Sequence, residues 1–137
     1  MLTDGNMIKD SVNVTQQIQG SIQIISFSGI LEYQNIQFAK DRINDLFVEA
    51  KQYILDFSNL TKIDSTGFGL IFSVIKKKPV NAGLVAVVTD KFIAELFNIT
   101  KIVQLFPVVG SIDKAKAILD NMGNIDDEQK LRDFVNI

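Results

Sequence analysis

Few residue types are available for chemistry in this chain. Its 137 residues include no cysteine and no histidine, which excludes thiolate nucleophiles, His-based triads, the usual zinc sites and an imidazole pH switch. What stands out is Ile63-Asp-Ser-Thr-Gly-Phe-Gly69, a polar loop between an apolar run and a helical stripe. In open parallel sheets, the loop that leaves a strand and enters a helix is where ligands and partners are met. Ser65 falls near the expected helix N-terminus, where unpaired backbone N–H groups and the positive dipole end favour an anion such as a phosphate. Gly67 and Gly69 remove side chains from the first turn, which lets another chain approach the backbone closely. The same residues also have a purely structural use. Ser, Asp and Thr are preferred capping residues, and a first-turn glycine permits close helix–sheet packing. The tetrapeptide alone supports both readings.

The other candidates are thinner. Asp56 lies inside an apolar run with no His or Cys to pair with, which suits a carboxylate hydrogen-bonded at a sheet end. Glu32 and Asp64 come together if their two loops lie side by side, as in a paired-carboxylate hydrolase, yet the chain offers no evident sugar-binding cleft of Trp and Tyr around them. No G-x-x-x-x-G-K-[ST] loop occurs, and Lys76-Lys-Lys78 reads as a solvated helix terminus.

These residues must be positioned by the elements around them. Ser11 to Gln16, with Val12 and Val14 on one face, and residues 21–28 read as strands of a hairpin turning at Gln19-Gly20. From Gln34 to Ala50, apolar residues at Ile36, Ala39, Ile43, Leu46, Phe47 and Ala50 predict an amphipathic helix. Tyr53 to Phe57, bounded by Ser58-Asn59, predicts a short buried strand. Phe68, Ile71, Phe72 and Ile75 form the stripe of a helix over 67–78, stopped by Pro79. Leu84 to Val88 predicts another buried strand, and Thr89-Asp90 caps a short helix carrying Phe92, Ile93, Leu96 and Phe97. Val103 to Val109 reads as an edge strand with Pro107 at its margin, and Ser111 caps a last helix ending at Gly123. Such alternation predicts an α/β fold whose sheet is mostly parallel, with an antiparallel strand at the start and about four flanking helices. Residues 1–123 form the expected domain. Residues 124–137, with Leu131, Phe134 and Val135 at helical spacing, form a tail or a short appended helix that the core does not need.

Composition is consistent with that layout. With 47% hydrophobic residues the chain can bury a core without metal or disulfide staples. A formal net charge of -2 argues against a nucleic-acid partner. The apolar stretch Leu84 to Val88 is far shorter than the ~20 residues of a membrane span, and the N-terminus lacks the pattern of a secretory signal. A cytoplasmic domain is the expectation.

The whole layout, from about Ser11 to Gly123, resembles the STAS domain family, in particular its stand-alone bacterial anti-sigma-factor antagonists. Tyr53-Ile-Leu-Asp-Phe-Ser-Asn-Leu-Thr-Lys-Ile-Asp-Ser-Thr-Gly-Phe-Gly-Leu70 is similar to the family's strand, acidic-serine loop and helix start. Phe27-Ser-Gly-Ile-Leu-Glu32 is similar to its G-x-L-D loop, and Ala94-Glu-Leu-Phe-Asn-Ile99 to its L-F helix end. Two departures stand out. Glu32 replaces the usual Asp, and Lys101 stands where the family commonly has Gly.

The resemblance implies a switch protein that is not an enzyme and needs no cofactor or metal of its own. Ser65 would be phosphorylated by a serine kinase that is also an anti-sigma factor and binds the ATP. The unphosphorylated form would capture that kinase and free a sigma factor, and a serine phosphatase would reset the switch. The implied partner-binding residues are Glu32, Asp64, Ser65, Thr66, Gly67 and Phe68, on a monomer or weak dimer. The family also occurs as an interaction module in stress-signalling scaffolds and transport complexes, which is the alternative role.

Overall fold

The computed structural model describes residues 11–123, so the tail 124–137 lies outside the described residues. Strands β1 (Val12–Gln19) and β2 (Ile22–Leu31) form the expected hairpin, with Gly20 at φ +61 in its turn. That left-handed conformation suits glycine, which has no Cβ to clash. A 3-10 turn, Tyr33–Asn35, then leads into helix α1 (Ile36–Leu46). There follow β3 (Gln52–Ile63), α2 (Ser65–Lys77), β4 (Gly83–Val87), α3 (Lys91–Ile99), a 3-10 turn Ile102–Gln104, β5 (Val108–Val109) and α4 (Ile112–Gly123).

The five strands lie in the order β1-β2-β3-β4-β5, with β1 antiparallel to β2 and the other neighbours parallel. The α/β fold read from the sequence is the one observed. Helices cover both faces of the sheet. Ala39 and Ile43 of α1, Leu70, Ile71 and Val74 of α2, and Ile93 and Phe97 of α3 join one core with Ile25, Phe27, Leu55 and Phe57. Ala115 and Leu119 of α4 close a smaller core on Ile22, Ile24, Ile54, Val85 and Val87. The pleat assigns alternate residues to each, so a one-residue slip in β3 would exchange the two cores.

Three elements differ most from their expected lengths. Helix α1 ends at Leu46 rather than at Ala50, because buried side chains take over the backbone just beyond it. Gln23, completely buried, donates to the Leu46 carbonyl at 2.8 Å and accepts from Val48 N–H at 3.1 Å. The Tyr53 hydroxyl donates to the Val48 carbonyl at 2.7 Å and accepts from Ala50 N–H at 2.8 Å. Strand β5 has only two residues, because Ile102–Gln104 forms a 3-10 turn instead of extending the edge.

The third difference bears on the site. Strand β3 runs on to Ile63, well past Ser58-Asn59. Gln52 to Asp56 pair with β2 on one side and β4 on the other, whereas the remainder pairs with β2 alone through two register shifts. At the first shift Asp56 Oδ1 accepts from Ser58 N–H at 3.0 Å, which meets the sequence expectation for this carboxylate. The segment read as a loop at Gly29 belongs to β2. Gly29 sits at φ +88, and a Cβ there would lie 2.3 Å from the Ser11 carbonyl oxygen, so only glycine fits.

Candidate functional site

The long β2–β3 pairing sets Leu31 beside Ile63, and Asp64 N–H continues it to the Leu31 carbonyl at 3.3 Å. The two chain exits, Glu32-Tyr33 and Asp64-Ser65, therefore lie side by side. Asp64 is the N-cap of α2, in extended conformation with φ -123. Its Oδ1 accepts from Thr66 N–H at 2.9 Å, Gly67 N–H at 3.1 Å and the Thr66 hydroxyl at 2.6 Å. Its Oδ2 accepts from Tyr33 N–H at 3.0 Å, which ties the helix start to the neighbouring loop.

Burial works to raise the Asp64 pKa, but the donated bonds from the Thr66 side chain and from the Tyr33, Gly67 and Thr66 amides outweigh it. The carboxyl is held below its ordinary value, so Asp64 is a fixed negative charge at neutral pH. The cap function read from the sequence thus belongs to Asp64, not to Ser65. Ser65 is the first helical residue, exposed, and among the described residues its hydroxyl has no hydrogen-bond partner. Helix α2 begins two residues earlier than the periodicity predicts, because an N-cap and first turn carry no apolar stripe.

The other implied residues divide into rim and support. Glu32 is half-buried, with Gln34 Nε2 at 3.5 Å from its Oε1. Thr66 is half-buried and engaged with Asp64. Gly67 and Phe68, the other two residues expected at the partner interface, are buried. A Cβ on Gly67 would lie 2.6 Å from both Ile63 Cγ1 and the Leu31 carbonyl oxygen, so this glycine lets the helix start pack on the strand ends. Phe68 points inward, edge-on to Phe97 at 5.0 Å, in a chain of rings that continues through Phe57 to Phe27. Both residues act from below, holding the first turn in place. Gly69, by contrast, has open space where its Cβ would be.

Tyr33 was missed in the sequence. Its amide binds Asp64 while its side chain is 76% exposed beside the loop. Only the pairing of β2 with β3 brings it there, and an aromatic residue after a strand carries no local mark of that. Lys101 occupies a left-handed conformation at φ 62, where the departure from the family's glycine places a Cβ that the backbone disfavours.

Among the described residues, no group of three or more His, Cys, Asp or Glu residues could hold a metal ion, and no helix is long and apolar enough to cross a membrane.

Several solved structures share this fold. An anti-sigma factor antagonist from Mycobacterium paratuberculosis aligns at TM-score 0.74 and 16% identity, covering 80% of this chain and 94% of its own. The anti-sigma factor antagonist SpoIIAA in its unphosphorylated form aligns at TM-score 0.56 and 17% identity, covering 82% and 100%. A sulfate transporter family protein from Wolinella succinogenes aligns at TM-score 0.54 and 20% identity, covering 74% and 87%. At such identities these likenesses speak to the fold alone. No curated protein matches the sequence. Residues 13–115, however, match the STAS domain family, and on that match the chain belongs to it.

Proposed function

We propose that this STAS domain is an anti-sigma-factor antagonist that works by partner switching, with Ser65 as its phosphoacceptor. One observation carries the reading. Asp64 commits its carboxylate to Thr66, Gly67 and Tyr33, and the adjoining Ser65 hydroxyl is left exposed and, among the described residues, unpartnered. A kinase needs a hydroxyl it can reach, and the neighbouring Thr66 hydroxyl is already bound to Asp64.

In the transfer, Ser65 Oγ forms a bond to the terminal phosphorus of kinase-bound ATP. The bond to the bridging oxygen breaks, ADP leaves, and the hydroxyl proton passes to a base on the kinase. The domain tolerates the product, because a phosphate of about -1.5 to -2 charges at a helix N-terminus meets the positive dipole end. A docked partner does not. A dianion buried beside the fixed Asp64 charge, with Glu32 on the adjoining loop, loses water and meets like charge. Affinity falls by about 2–5 kcal/mol, enough to release the kinase. A serine phosphatase then restores the binding form. In this reading the domain is non-enzymatic, Glu32, Asp64, Ser65 and Thr66 face the partner, and Gly67 and Phe68 support them.

The test takes the kinase captured from cell extract and titrates it calorimetrically against wild type, Ser65→Ala and Ser65→Asp, with mass spectrometry of the ATP-treated protein. Ser65→Ala should hold the kinase whether or not ATP is present, and Ser65→Asp should bind weakly. Equal affinities for the two variants, or phosphate on Thr66, would overturn the assignment.

A further inference from the structure

On the face away from the sheet, helices α1 and α2 enclose a groove of about 500 Å³. Its floor is Ile43, Leu70 and Val74, and Lys40, Lys76 and Lys77 stand along it. Among the described residues no carboxylate lines it, although the whole chain is net negative. The helix dipole accounts for Lys76 and Lys77, which lie in the last turn of α2, but not for Lys40 in the middle of α1. Lys77 is already committed, donating to Asn44 Oδ1 at 2.8 Å across the groove with its ammonium 5.9 Å from the Phe47 ring centroid. Among the described residues Lys40 and Lys76 have no hydrogen-bond or ion-pair partner. Among the described residues, the groove thus has a fixed strut and two uncompensated cations over an apolar floor.

We infer that this groove docks an acidic, amphipathic segment of a partner protein, with carboxylates on Lys40 and Lys76 and apolar side chains toward Ile43, Leu70 and Val74. Charge complementarity selects the occupant. A small anion held only by exposed lysines would keep its water and gain little. A peptide segment covers the rim, shields the ion pairs and buries apolar surface together with them. A nucleic acid fits poorly, since three cations in one short groove on a net-negative chain neutralise few phosphates. Ser65 and Lys76 share the exposed side of α2, eleven residues or about 16 Å apart along its axis at 1.5 Å per residue. A partner seated on the Ser65 end therefore has the groove within reach, yet the inference does not depend on Ser65 being phosphorylated.

The test is an NMR titration of the full chain with a short helical peptide bearing Leu on one face and Glu on the other. A Lys-for-Glu version of the peptide, inorganic pyrophosphate and a single-stranded oligonucleotide serve as comparisons. The acidic peptide should shift resonances of α1 and α2 around the groove, and affinity should drop severalfold as NaCl rises from about 50 to about 300 mM. The double change Lys40→Glu, Lys76→Glu should weaken binding about tenfold or more while leaving the spectrum dispersed. If that variant loses its dispersion, Lys40→Gln, which only removes a charge, carries the comparison with a severalfold loss. The inference is overturned if the peptide shifts nothing at the groove, if the variants bind as well as wild type, or if the Lys peptide, pyrophosphate or the oligonucleotide binds there as tightly. No kinase enters this experiment, so its outcome is separate from that of the Ser65 titration.

Discussion

Two loops in this domain are tied down by side chains, in opposite ways. After α1, the neutral pair Gln23 and Tyr53 holds residues 46–50, and Gln23 spends its remaining amide proton on Gln16 Oε1 at 3.0 Å. At the start of α2, a charged residue at the surface, Asp64, holds residues 66–67 and Tyr33. The first clamp leaves nothing unspent, and both Gln23 and Tyr53 are completely buried. The second is equally satisfied, but the Ser65 hydroxyl next to it is exposed and has no partner among the described residues. Saturation marks both as structure. The unspent group beside a saturated one is what the proposed switch would use.

The largest expected effect comes from breaking the sealed clamp. Gln23→Leu strands the Val48 N–H and the Leu46 carbonyl, each at about 1–3 kcal/mol, so urea unfolding should report a loss of about 2–6 kcal/mol. Amide shifts of residues 64–67 should stay unchanged. A loss below about 0.5 kcal/mol would mean that water replaces the clamp and that the contrast with Asp64 is false.

Asp64→Ala should cost about 1–2 kcal/mol, the usual worth of an N-cap. Because the folded pKa of Asp64 is lowered relative to the unfolded chain, its stabilisation is complete above the ordinary carboxylate range and fades as pH falls through the lowered value. Thermal melts of wild type and Asp64→Ala should thus differ most at neutral pH and converge in acid. A constant gap down to the acid limit would show that the charge is not what holds the loop.

Lys101→Gly lies outside both clamps and serves as a control of opposite sign. It relieves a left-handed lysine and should gain about 0.5–1 kcal/mol, the relief offset by the extra freedom glycine brings to the unfolded chain. Ser65→Ala should have the smallest effect, within about 0.5 kcal/mol in the same melts, since its hydroxyl holds nothing in the fold. A loss as large as that of Asp64→Ala would make Ser65 a part of the cap and erase the distinction between the two loops.

Order and identity of the elements were legible because they rest on local pattern. The stripe from Phe68 to Ile75, the unbroken run Leu84 to Val88 and the Asp90 cap, whose Oδ1 accepts from Ile93 N–H at 3.0 Å, each need only a few neighbours in sequence. The place of the candidate site was legible for the same reason, since a polar Asp-Ser-Thr-Gly stretch between two apolar elements announces itself.

What the sequence determined by itself was the alternation of strands and helices and the loop on which chemistry could sit, because burial periodicity and capping act within about one turn. Only the tertiary structure decided that α1 stops at Leu46, that β3 passes Ser58-Asn59 to reach Ile63, that Tyr33 meets Asp64, and that Gly67 and Phe68 face inward. Each of these is settled by a hydrogen bond or a contact between residues far apart along the chain. Propensity is weak compared with a buried polar group that must find its partner, so the distant partner set the boundary.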